Sequence, residues 1–345
     1  MEKPTQEEVE ELVKLAARNF NEAGITEVQT EDYLSLPGKD RDTIIKAFKN
    51  LENKGELNVR IYEQAIFSGQ EDMENFLDNE YKPEEEGEFY RVGPVKLLVD
   101  GSLGARTALM IDEYTSEKGQ HGIQRISDDT FNKMVEGAHN RGRQIAVHAI
   151  GDRASEMVVN AVIRANKLNP REDHRHGVVH AQIVNDDILQ KMKDNNILGY
   201  VQPIFVATDM NIVEKNLGTE RMNHSYMWKT MIDMGIHISG GSDAPVESFN
   251  ILENIQLAVT REKLEGGPEG GWTPKEKISI KEAVKMFTVE AAYASFDENK
   301  KGTLEIGKLA DMVILDRDIF ETDPHHIKDI KVCTTILNGK TVYQR

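Results

Sequence analysis

Short apolar runs alternate with segments of helical period along most of this chain. After Ser127, which suits a helix N-cap, Phe131, Met134, Val135 and Ala138 recur at i, i+3, i+4 and i+7. Gly142 suits the stop, and Ile145-Ala-Val follows as a buried strand. Ala154, Met157, Val158 and Ala161 then repeat the helical spacing. Such βα alternation predicts a parallel sheet with helices outside it. The same rule places strands at Ile25–Gln29, Asn58–Tyr62, Val95–Val99, Ile145–His148, Val178–His180, Leu198–Gln202 and Ile236–Ser239. That is one strand fewer than a closed (β/α)8 barrel needs. Segments 36–55 and 68–91, charged and punctuated by Gly and Pro, read as loop or peripheral helix.

Toward the C-terminus the rhythm changes. Ile280–Ala294 reads as one helix with Ile280, Val284, Phe287 and Ala291 on its packed face. Past residue 299, Met312-Val-Ile-Leu and Val332–Leu337 read as strands, and Asn338-Gly339 predicts a type I′ hairpin before Thr341-Val-Tyr. Residues 1–299 are therefore assigned to an α/β barrel and 300–345 to part of a small β-sandwich.

Four of the predicted strands carry a residue able to bind metal at or near the end. Lys96 lies in Val95-Lys-Leu-Leu-Val-Asp-Gly, His148 ends Ile145-Ala-Val-His, His180 ends Val178-Val-His, and Asp243 follows Ile236-His-Ile-Ser-Gly-Gly-Ser. In a parallel barrel such positions converge on the face where these enzymes keep their chemistry. Zinc favours imidazole nitrogen and carboxylate oxygen, and a catalytic site leaves one position open. Lys96 sits among apolar neighbours that penalise its ammonium, so either its neutral amine is in use or it reaches past the strand end to pair with Asp100. Asp243 either moves a proton for an activated water or caps the following helix. Asp100, Ser102, Arg106, Asp152 and Gln202 lie just past strand ends and are candidate substrate contacts by position. His174-Arg-His176 enters the strand of His180 from its far end, about 13 Å away at roughly 3.3 Å per residue, and reads as surface or bottom-face structure. His121, His224, His325 and His326 are read the same way.

These phrases, in this order, resemble the amidohydrolase superfamily, and within it the amidohydrolase-3 (YtcJ-like) group. The resemblance rests on Lys96-Leu-Leu-Val-Asp-Gly-Ser-Leu-Gly-Ala-Arg-Thr-Ala, His148-Ala-Ile-Gly-Asp-Arg-Ala, Val179-His-Ala-Gln, Val201-Gln-Pro, Gly241-Ser-Asp-Ala-Pro-Val and Gly302-Thr-Leu-Glu-Ile-Gly-Lys-Leu-Ala-Asp-Met-Val. It implies a metal-dependent barrel that hydrolyses a carbon–nitrogen bond other than a peptide bond. It further implies Lys96 as a carbamate bridging two metals, with His148, His180 and Asp243 as the remaining ligands. The family's first strand carries His-x-His, and no such strand precedes residue 20; half of the β-sandwich is expected to be missing with it. Where relatives often have an acidic residue before the second histidine, Val179 stands here. Three readings follow: a hydrolase with one or two zinc ions, a noncatalytic remnant or one half of a split enzyme, and a one-metal hydrolase using His148, His180 and Asp243. A missing strand leaves two sheet edges, which predicts a homodimer or a partner N-terminal fragment.

Composition narrows the partners. A formal net charge of −17 argues against nucleic acid or an anionic membrane, which leaves a small-molecule substrate. The first residues lack the apolar core of a signal peptide, and no apolar run would span a bilayer, so the expected location is cytoplasmic. Cys333, the lone cysteine, is expected in the core.

Overall fold

The structure is a computed structural model that describes residues 3–345, and the chain divides into two compact units. One holds residues up to Lys96 with 299–317 and 331–345; the other holds 97–298 with 318–330.

In the first unit, helix α1 (Gln6–Glu22) opens on a capping box in which Thr5 and Glu8 exchange side-chain and backbone hydrogen bonds. Strand β1 (Glu27–Thr30) follows, then α2 (Arg41–Lys54), capped by Asp40 and stopped by Gly55 at φ 67°. Of the two alternatives for segment 36–55, loop or peripheral helix, most of it takes the second. It buries Ile44, Ala47, Phe48 and Leu51 at helical spacing, each worth about 1.5–3 kcal/mol for the larger side chains. Strand β2 (Arg60–Ile66) leads to the short α3 (Gln70–Asn75) and to β3 (Tyr90–Leu98). These strands pair in parallel, β1 on β2 and β2 on β3.

Strand β3 begins at Tyr90, five residues before the predicted start, so Tyr90 and Arg91 leave the expected loop. The cause is tertiary. Tyr90 packs its ring 5.1 Å from that of Phe48 and shares a 2.7 Å hydrogen bond with the Tyr33 hydroxyl, contacts no local pattern reveals.

The C-terminal strands β8 (Met312–Leu315), β9 (Val332–Leu337) and β10 (Lys340–Gln344) form an antiparallel sheet with β9 in the middle. Asn338 and Gly339 adopt φ 50° and 76°, as a type I′ turn requires. Arg60 on β2 grips Asp311 with two hydrogen bonds, at 2.6 and 3.2 Å, both side chains being buried. Gly24 at φ 83° lets α1 approach this sheet, since a Cβ there would lie 2.9 Å from Val313. Cys333 is half-buried on β9 rather than in the core, as is its neighbour Thr334.

The second unit repeats strand and helix. Its order is α4 (Asp128–Asn140), β4 (Ile145–Ala149), α5 (Asp152–Leu168), β5 (Gly177–His180), α6 (Asp186–Asp194), β6 (Leu198–Val201), α7 (Phe205–Arg221), α8 (Trp228–Asp233), β7 (Ile238–Gly240) and α9 (Ile251–Thr260). Strands β4 to β7 pair in chain order and in parallel. Ser127 caps α4 through the Thr130 amide, and the predicted apolar faces of α4 and α5 are buried. Among the described residues no helix is long and apolar enough to cross a membrane.

The predicted helix over Ile280–Ala294 is two helices, α10 (Ile280–Met286) and α11 (Val289–Ala294). Thr288 breaks it at φ −129°, its hydroxyl donating back to the Val284 carbonyl at 2.8 Å. Phe287 meanwhile lies where a Cβ on Gly240 would come within 2.7 Å of its ring. The break rotates the packed face. Ala283, Met286, Ala292 and Ala294 are buried, while Ile280, Val284, Phe287 and Ala291 are only half-buried.

Candidate metal centre

His148 is set on its ring by the strand that carries it. β4 is buried and rich in small and β-branched residues, and its register places His148 beside Val179 and Ala149 beside His180. Regular alternation would send His180 to the face opposite Val179 and away from His148. His180 departs from strand geometry at φ 75°, followed by Ala181 at 43°. This left-handed pair costs on the order of 1–3 kcal/mol per residue. It turns the His180 ring back to the His148 side, where the two rings meet edge to face at 4.6 Å.

The hydrogen bonds assign the ring protons. His148 Nε2 lies 3.0 Å from the Gly101 carbonyl oxygen, which can only accept, so that nitrogen carries hydrogen. Gln202 donates its amide NH2 to the Tyr200 carbonyl at 3.0 Å, which leaves its oxygen to accept from His180 Nδ1 at 2.8 Å. The remaining nitrogens, His148 Nδ1 and His180 Nε2, face each other at 3.0 Å with their lone pairs. That contact is repulsive until a proton or a cation lies between. Two nitrogens each about 2.1 Å from zinc sit roughly 3.0–3.4 Å apart, so the pair fits a shared ion. Backbone and amide oxygens behind the rings are the outer-shell arrangement typical of metal-bound histidines.

Around this pair the other residues fall into place one by one. Asp100 is fully buried, with Oδ2 accepting from the Leu109 and Gly151 amides at 2.9 and 2.8 Å and Oδ1 from Ile150 at 3.1 Å. Its Oδ1 also lies 3.3 Å from His148 Nε2. Gln202, read as a substrate contact, orients His180. Ser102 is exposed in a tight turn with Thr107, and Arg106, at φ 55°, pairs with Glu117 at 2.5 Å. Asp152 receives the Ile111 and Arg153 amides at 2.8 and 2.9 Å, and burial holds its carboxyl above the usual range. Asp243 stands exposed at φ 59° on the loop after β7. The Gly241 amide ties that loop to the Val201 carbonyl at 2.9 Å, next to Gln202. Asp243 does not cap the next helix, because Asn250 does so through the Leu252 amide.

Lys96 belongs to the first unit and is nearly buried. Its Nζ lies 2.9 Å from Glu31 and 3.4 Å from the Gln64 side-chain oxygen. Glu31 therefore takes the place the sequence offered to Asp100, whose oxygens are occupied by backbone amides. Among the described residues no three His, Cys, Asp or Glu side chains group closely enough to hold an ion. Of the four strand-end candidates, the two that touch are His148 and His180.

His174-Arg-His176, read as surface or bottom-face structure, is not at the surface. His174 and His176 are buried with His139 before the start of β5, and their partners include His139, the Ile145 amide, the Asn195 backbone and each other. His121, His224, His325 and His326 are exposed. Sequence reasoning missed Glu31, the Gly101 carbonyl and Phe205, whose ring sits 6.1 Å from that of His180. Only the Gly101 carbonyl had a local signal, in the Asp-Gly-Ser turn itself.

The sequence profile of the amidohydrolase family matches residues 1–343. The chain belongs to that family. A Bacillus subtilis (strain 168) protein provisionally named amidohydrolase YtcJ is 31% identical over 99% of this chain and 62% of its own length. The N-substituted formamide deformylase of Arthrobacter pascens is 27% identical over 76% of this chain and 47% of that protein. Among solved structures, an uncharacterized metal-dependent hydrolase from Pyrococcus furiosus superposes with a TM-score of 0.75 at 28% identity, over 92% of this chain and 62% of that one. The chain thus spans about three fifths of the length of the Bacillus and Pyrococcus furiosus proteins. Its α/β fold is that of the metal-dependent hydrolase barrels.

Proposed function

We propose that this amidohydrolase uses water to cleave a carbon–nitrogen bond, other than a peptide bond, in a small molecule. One observation carries the reading: two lone pairs, on His148 Nδ1 and His180 Nε2, face each other at 3.0 Å while the other ring nitrogens are spent on fixed acceptors. Nitrogen donors of this kind suit zinc. A divalent cation there would supply Lewis acidity and bring the pKa of water near neutrality.

The chain's own residues do the rest. The Gly101 carbonyl and the Gln202 amide hold the two rings so that both lone pairs stay on one point. Asp243, exposed on the β7 loop, accepts a proton from water on its carboxylate and delivers it to the leaving nitrogen. Lys96 serves as its carbamate: the ammonium leaves Glu31 and gives one proton to solvent, the neutral nitrogen bonds the carbon of carbon dioxide, and a second proton leaves that nitrogen for solvent.

A second reading is favoured by the small ligand set among the described residues. In it a companion chain or segment supplies His-x-His, and this chain alone turns over little or nothing. A homodimer would cover the open sheet edges but, being a second copy of this chain, would not supply that motif.

The test is amine release from N-formyl and N-acyl amines, the first choice being suggested by the name of the Arthrobacter relative. With added zinc, the first reading expects release that falls at least tenfold in His180→Ala and in Asp243→Asn, as general acid–base roles are worth roughly a hundredfold or more. Zinc bound at the imidazoles without any release supports the second reading. Release that survives both substitutions rules out the first.

A further inference from the structure

We infer that Asp100 is the positioning residue of this centre, clamping from behind the backbone that sets the His148 ring. The inference rests on the role proposed for His148 and adds a residue to it. Asp100 has no exposed surface, so it touches no substrate. Its two carboxylate oxygens accept from the amides of Leu109, Ile150 and Gly151. Ile150 and Gly151 lie just past His148 on the exit of β4. Leu109 lies on the returning arm of the loop that follows β3. The Gly101 carbonyl, which receives His148 Nε2 at 3.0 Å, is on the residue directly after Asp100. Both ends of that hydrogen bond are therefore tied to one carboxylate.

The packing shows how tight the clamp is. A Cβ on Gly101 would lie 2.2 Å from the Thr107 hydroxyl oxygen, and one on Gly151 would lie 2.0 Å from the Leu109 carbonyl oxygen. Only glycine lets these backbones close around the buried carboxylate. The chemistry also requires a carboxylate. Three amide donors on two oxygens leave no room for an NH2 group, so asparagine would set a donor against a donor. Asp100 Oδ1, 3.3 Å from His148 Nε2, reinforces the same ring proton.

The experiment is proton NMR of metal-free protein uniformly labelled with 15N. In the wild type the His148 Nε2 proton is expected to exchange slowly, and to share its protection with the Leu109, Ile150 and Gly151 amides within about threefold, since one opening frees all four. In Asp100→Asn that proton should exchange at least tenfold faster, while the His180 Nδ1 proton on Gln202 is unchanged. Asp152→Asn removes a carboxylate that also holds two backbone amides and should leave the His148 proton as it was. Zinc affinity of Asp100→Asn should fall about 10–100-fold, as outer-shell losses do. A His148 proton much less protected than the three amides in the wild type would overturn the inference, even if Asp100→Asn fails to fold. So would an unchanged His148 proton in folded Asp100→Asn. Wild-type protein that holds no zinc at His148 would instead overturn the metal reading, with the exchange data still deciding the role of Asp100.

Discussion

Replacing His180 with alanine is expected to lower zinc affinity on the order of a hundredfold or more, since a lost ligand exceeds the 10–100-fold typical of an outer-shell loss. His148→Ala should cost as much. The double substitution should cost little beyond either single one, because each already destroys the shared point. Gln202→Ala should cost less, about tenfold, by freeing the His180 ring to rotate from its 2.8 Å hydrogen bond. Titration of metal-free protein with zinc, followed by calorimetry, measures all four. An affinity unchanged in the double variant would place the metal elsewhere.

The second large effect is a loss of stability in mild acid, carried by His139, His174 and His176. His176 Nδ1 accepts from the Ile145 amide at 3.1 Å, so its Nε2 must donate to His139 Nδ1 at 2.8 Å. His139 Nε2 then donates to the Asn169 carbonyl at 2.7 Å, and His174 Nδ1 accepts from the His176 amide at 3.0 Å. Every acceptor nitrogen is in use, so an added proton sets donor against donor. Burial pushes His174 down to about 4 and His176 well below its ordinary value, and it lowers His139 too. Arg171 adds to the repulsion and Asp173 opposes it at His174; Arg175 beside them is neutralised by Asp173 and Glu298.

The sign follows from linkage. Above pH 6.5 neither state binds these protons. Below it the unfolded histidines take them up and the folded ones refuse, so stability falls as pH drops from about 6.5 toward 4. At pH 5 that amounts to roughly 2 kcal/mol for each strongly shifted ring. Denaturant midpoints at pH 7 and pH 5 test it. A wild type equally stable at both would contradict the assignment, and His174→Gln should show a shallower fall than the wild type.

The fold was legible because apolar runs and helical spacing are local. All seven predicted strands occur as β1 to β7, and the hairpin at Asn338-Gly339 follows from two residues. What local pattern could not reach depends on distant partners. The early start of β3 comes from Phe48 and Tyr33, and the break at Thr288 comes with Phe287 lying against Gly240. The site shows the same division. Strand ends pointed to His148 and His180, but alternation along β5 would have turned His180 away. The ring faces His148 because His180 is left-handed, which no residue type at that position announces. Buried polar groups were hardest to read. His174 and His176 look like surface residues in a charged segment, and partners distant in sequence, His139 37 residues before His176 among them, accompany their burial.

Anomalous diffraction at the zinc edge, from crystals grown with the metal, tests the central claim most directly. The account predicts a peak about 2.1 Å from both His148 Nδ1 and His180 Nε2, with the Gly101 and Gln202 contacts kept. A peak instead at His139, His174 and His176, or none within reach of the His148–His180 pair, would contradict it.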